Sequence, residues 1–143
     1  METSREYISM CEDERIQKLC KWNAGDQLFI ISQELISFLE SRGVGGKEGR
    51  CTVWVENYGE NFKISEKDLL WIPNFSQLIL AIKECCVLKK ISLEFYENKY
   101  ICNAHCESIS TSESIPIRTI GKSIQEACLK VLIEVVEYNE NLM

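Results

Sequence analysis

From Trp71 to Val136 the apolar residues keep helical spacing, switch to strand alternation, then return to helical spacing. A chain with that pattern must fold helices onto a small sheet. Phe75, Leu78, Ile79, Ile82, Cys85 and Cys86 follow one helical face behind Pro73-Asn74, which predicts a helix over about Phe75 to Cys86. Lys89 to Glu97 alternates, with Ile91, Leu93 and Phe95 on one side. Glu97-Asn98-Lys99 makes a turn, and Tyr100, Cys102, Ala104 and Cys106 line one face of the returning strand. Glu107 to Ser114 is a polar loop, and Ile115 to Arg118 adds a short edge strand, where proline is tolerated. The final helix is predicted over Lys122 to Tyr138, with Ile124, Ala127, Cys128, Val131, Leu132, Val135 and Val136 in its stripe. Thr119 or Ser123 caps it, and Asn139 to Met143 is expected to fray. The two stripes and the strand face predict one buried cluster: Phe75, Leu78, Ile82, Leu93, Phe95, Val131, Leu132 and Val135.

The first half is less regular. Thr3 with Glu6 fits a capping box at the start of a helix over Thr3 to Lys21, which Gly25-Asp26 ends. Leu28 to Ile31 and Cys51 to Glu56 read as strands by their β-branched content. Glu34 to Arg42 fits a helix or a hairpin strand, and the short Ser32-Gln33 turn favours the strand. Gly43 to Gly49 holds four of the seven glycines and reads as a mobile loop. Tyr58 to Ile64 is loop, and Ser65 to Asp68 can open one helical turn before Trp71. The expected class is α+β, a small, mainly antiparallel sheet with helices packed on it and a C-terminal helix–hairpin–helix unit. Residues 1–70 supply the first helix, the short strands and the glycine-rich loop; residues 71–143 supply an α-β-β-(β)-α unit of the same compact domain.

Composition sets limits on partners. Hydrophobic residues make up 45% of the 143, enough for a core without staples. A net charge of −6 repels phosphate backbones and anionic lipid headgroups, so neither nucleic acid nor a membrane is an expected partner unless a local basic patch intervenes. The first residues carry acidic groups and no apolar core of a signal peptide, so a cytoplasmic protein is expected. Eight cysteines in that setting are expected as reduced core thiols.

Chemistry is scarce. Cys102-Asn103-Ala104-His105-Cys106 has the residue types of a zinc site, but on a strand His105 points opposite to Cys102 and Cys106. The same geometry separates His105, the one histidine, from Cys106 as a nucleophile–base pair. Gly121-Lys122-Ser123 sits at a helix start but lacks the upstream glycine of a phosphate loop, since Pro116 stands there. No cofactor, metal or catalytic residue is assigned. The helix–strand–strand–(strand)–helix order resembles a double-stranded-RNA-binding domain, yet Lys122 is followed by Glu126 rather than by a lysine cluster. Trp54 and Tyr58 flank flexible segments and suit recognition, whereas Trp71 beside Ile72-Pro73 suits anchoring in the core.

Arg15-Ile16-Gln17-Lys18-Leu19-Cys20-Lys21-Trp22, followed by Gly25-Asp26, resembles the opening of small uncharacterised proteins of phages and prophages of Gram-positive bacteria. Trp71-Ile72-Pro73-Asn74-Phe75-Ser76-Gln77-Leu78 is similar to their Trp-[Leu/Ile]-Pro-x-x-x-Gln-Leu motif, and the hairpin with the helix Ser123 to Val136 resembles the phage ABA-sandwich type of domain. The resemblance implies an accessory protein without catalytic residues. The expected function is therefore to bind and block a host protein, such as an antiviral-defence component, through Glu48, Trp54, Glu56 and Tyr58. The alternative is a sponge that sequesters a nucleotide-like small molecule between subunits of a homo-oligomer, through Lys89, Lys90, Arg118 and Lys122.

Overall fold

The computed structural model describes residues 4–19, 27–30, 52–54 and 69–142. Its contacts divide the chain between Ile72 and Pro73. The mixed α+β class holds, with two three-stranded antiparallel sheets among the described residues.

In the N-terminal unit the helix expected over Thr3 to Lys21 is broken into α1 (Arg5–Cys11) and α2 (Glu14–Gln17). Asp13 causes the break. Its carboxylate accepts the Arg15 backbone N–H at 2.9 Å and caps α2. The same carboxylate takes the Arg15 guanidinium at 3.0 and 2.7 Å. The first cap falls on Ser4, whose hydroxyl accepts the Tyr7 N–H at 3.3 Å; Thr3 lies outside the described residues. Tyr7, Cys11 and Ile16 are completely buried. Strands β1 (Gln27–Ile30), β2 (Thr52–Trp54) and β3 (Leu69–Trp71) pair in the order β2-β1-β3. β3 was not foreseen. The readings for Glu34 to Arg42, Gly43 to Gly49, Tyr58 to Ile64 and Ser65 to Asp68 lie outside the described residues.

The C-terminal unit opens with α3 (Phe75–Cys85), capped reciprocally: Asn74 Oδ1 accepts the Gln77 N–H and Gln77 Oε1 accepts the Asn74 N–H, both at 2.9 Å. β4 (Val87–Tyr96) and β5 (Lys99–Glu107) form a hairpin whose two turn residues, Glu97 and Asn98, have φ of 50° and 62°. Two positive φ angles define the type I′ turn, whose twist matches that of paired strands. β6 (Ser114–Gly121) follows, and α4 (Ile124–Asn141) closes the unit. The sheet order is β4-β5-β6, and α3 and α4 pack on each other and on the sheet.

The edge strand is longer than the expected Ile115 to Arg118, because inward alternation continues through Thr119 to Gly121. The last helix also outruns its expected end at Tyr138. Asn139 Nδ2 donates to the Cys85 carbonyl at 2.9 Å, so the segment expected to fray satisfies the end of α3. In the predicted core, Leu78, Ile82, Val131, Leu132 and Val135 are fully buried. Phe75, Leu93 and Phe95 are not. Phe75 is the first residue of α3 and is 37% exposed, while Leu93, on an edge strand, is half-buried. Phe95 sits at the hairpin end, 62% exposed, where its ring packs on Tyr100 with centroids 5.0 Å apart. Among the described residues no helix is long and apolar enough to cross a membrane.

Candidate functional site

Strand alternation sorts the β4–β5–β6 sheet into two faces. Cys102, Ala104, Cys106, Ile115, Ile117 and Thr119 turn inward and are buried. Thr119 is polar, and its Oγ1 donates to the Ala127 carbonyl of α4 at 2.7 Å. The other face is open and is laid out in rows by the register. One row is Lys90, His105 and Pro116; the next is Ser92, Asn103 and Arg118; the third is Glu94, Ile101 and Ile120. The first two rows line a groove of about 320 Å³.

This groove carries an ammonium, a guanidinium, a carboxamide and a hydroxyl, with the imidazole at its rim. Lys90 and Arg118 make no ion pair among the described residues. Such donors suit a carboxylate or phosphate, and the planar Arg118 fork suits one bidentately. An acidic chain therefore presents a locally cationic concavity. Beside it the surface turns amphipathic, with Ile120 46% and Tyr96 64% exposed.

Of the residues expected to hold an anion, Lys90 and Arg118 come together here, and Lys89 and Lys122 do not. The β-bulge between Leu88 and Lys90 takes Lys89 out of register, and its Nζ lies 3.8 Å from Glu107 Oε2. Lys122 sits at the start of α4, where an internal carboxylate already occupies the anion position. Its backbone N–H donates to Glu126 Oε2 at 2.7 Å, while Ser123 Oγ accepts the Glu126 N–H at 3.0 Å. Ser123 is thus the cap. Gly121 serves close strand–helix packing: a Cβ there would lie 2.5 Å from the Ala127 backbone nitrogen.

Of the residues expected to meet a protein partner, Glu48, Glu56 and Tyr58 lie outside the described residues. Trp54 is the last residue of β2, opposite Gln27 of β1. Trp71 is buried, in the anchoring position expected of it.

His105 is exposed and Cys102 and Cys106 are buried on the opposite face, as alternation requires. Among the described residues no group of three or more His, Cys, Asp or Glu is placed to hold a metal. Cys86 hydrogen-bonds Cys106, and Cys102 hydrogen-bonds Cys128. Burial, followed by the bond to Cys106, pushes the Cys86 thiol up to about 12. The Cys102 bond, then burial, pushes Cys128 up as well. Cys86 and Cys128 are therefore protonated core thiols, whereas the bond with Cys128 lowers the Cys102 thiol against the opposing effect of burial.

Ser92, Asn103 and Ser114 were missed by sequence reasoning. Ser92 and Asn103 are ordinary polar residues, and only the hairpin register shows that they share a row with Arg118. Ser114 Oγ stands 3.3 Å from His105 Nε2. No acid orients the imidazole's other nitrogen among the described residues, so this exposed pair lacks the third member that activates a serine nucleophile. No family model, curated protein or solved structure matches the chain.

Proposed function

We propose that this chain is a non-catalytic, phage-type accessory protein that binds and blocks a host protein, with the open face of β4–β5–β6 as its contact surface. The observation that carries the reading is the grouping of Arg118, Lys90, Asn103 and His105 in a shallow groove beside exposed Ile120 and Tyr96. Arginine and tyrosine next to apolar surface have the composition of a recognition patch. A site for a small molecule encloses roughly 70–90% of its ligand. A groove open along one side instead suits a protruding acidic side chain of a partner. The resemblance to phage proteins supplies the setting, a host cytoplasm and an antiviral-defence component as the class of target.

The second reading, a sponge for an anionic small molecule, draws on the convergence of Lys90 and Arg118. One experiment separates the two. The wild-type protein and Arg118→Glu are each used for affinity capture from host lysate, with mass spectrometry of proteins and of small molecules released by heat. A host protein retained by the wild type and lost from Arg118→Glu is expected. A released anionic small molecule without a protein supports the sponge. Conversion of a candidate ligand that disappears in His105→Ala or Ser114→Ala contradicts both.

A further inference from the structure

We infer that β4 is a self-association edge: a second copy of this chain adds its own β4 antiparallel, across a two-fold axis at Ser92, to make a six-stranded sheet. The two edges of the sheet are finished differently. On β6 the inward residues Ile115, Ile117, Thr119 and Gly121 are all buried, with α4 packed on that strand. Pro116 also removes a backbone donor there, which blunts an edge.

Among the described residues β4 has neither protection. By register Ile91, Leu93 and Phe95 stand on the helix side, opposite Ala104, Cys102 and Tyr100. Yet not one of its ten residues is fully buried. Every second residue of an edge strand also directs its N–H and C=O away from the sheet. The bulge and Lys89 guard the start of β4, and Ile91 to Tyr96 pairs regularly with β5, so it remains a straight template.

Charge fixes the occupant and the register. With the axis at Ser92, Lys90 of each copy stands opposite Glu94 of the other, and Ile91 opposite Leu93. Directly opposed residues share a face, so two ion pairs form on the open side and two apolar pairs on the helix side. Lys90 and Glu94 are both exposed, and neither makes an ion pair among the described residues. An axis at Ile91 or at Leu93 would set Lys90 against Ser92 or Tyr96, without an opposite charge. Self-pairing engages Lys90, which also lines the groove, and leaves Arg118, Asn103 and His105 to the open face.

The test is sedimentation velocity of the full chain over a range of concentrations. Wild type is expected to dimerise. Lys90→Glu and Glu94→Lys each set like charges opposite one another at two places, and each is expected to raise the dimer Kd about tenfold or more. The double variant K90E/E94K is expected to regain the dimer. So is an equimolar mixture of the two single variants, as a heterodimer, because each supplies the charge the other lacks. Thermal melts confirm that all variants fold. A wild type monomeric at every concentration, single variants that dimerise like wild type, or a mixture that stays monomeric overturns the inference.

Discussion

The side-chain amide of Gln17 occupies both outward backbone groups of Trp71: Gln17 Oε1 accepts the Trp71 N–H and Gln17 Nε2 donates to the Trp71 carbonyl, each at 2.9 Å. Trp71 belongs to β3, an edge strand, so the amide stands in for a neighbouring strand. Nε2 also donates to the Cys11 carbonyl at 2.6 Å, where α1 ends. Gln17→Ala leaves these backbone groups without that partner and is expected to cost about 1–3 kcal/mol. Gln17→Glu still accepts the N–H but cannot donate, so at neutral pH it is expected to be no better. Chemical denaturation and amide exchange at Trp71 check both.

Gly121→Ala is expected to destabilise the C-terminal unit by about 1–3 kcal/mol through overpacking. Its new methyl meets backbone of α4, 2.5 Å from the Ala127 nitrogen, and not a side chain that can swing aside. A melting temperature unchanged from wild type would contradict the close packing of β6 and α4.

Leu132→Ala and Phe95→Ala form a contrast. Leu132 is completely buried, and its truncation is expected to cost about 2–5 kcal/mol. Phe95 is 62% exposed, so its truncation is expected to cost under about 1 kcal/mol despite the larger side chain. Urea unfolding of the two variants under dilute conditions measures the difference.

The buried thiols predict an alkaline limit on stability. In the unfolded chain Cys86 loses its proton near its ordinary value of 9.0, whereas the folded thiol holds it to about 12. Below pH 9 both states are protonated and the thiol's contribution is constant. As pH rises from about 9 to about 12 the unfolded state is favoured increasingly, so stability falls. Burial pushes Cys106 in the same direction. Denaturation midpoints across that range are expected to decline, and Cys86→Ala is expected to lessen the decline.

Periodicity made the C-terminal unit legible, because α3, β5 and α4 each bury one face and β4 alternates in register with β5. It failed where a single side chain decides. Asp13 splits the helix expected over Thr3 to Lys21 into two. Asn139 holds a segment that composition marks as frayed. Phe95 carries the right period but stands beside the hairpin turn, mostly exposed. For the site, alternation placed His105 opposite the thiols. Arg118 and Lys90 stood in a cluster of four cationic residues, two of which the bulge and the Glu126 carboxylate assign elsewhere. Partner strands must be paired before Ser92, Asn103 and Arg118 become one row, and a sequence does not print that register.

The most direct measurement of the central claim is the affinity of the captured host protein for wild type and for Arg118→Glu, read by calorimetry on folded proteins. Arg118 is exposed and outside the core, so the variant is expected to melt with the wild type. Binding through the open face predicts an affinity weakened about tenfold or more by reversal of this central charge. Equal affinity of the two proteins would place the contact elsewhere and contradict the account.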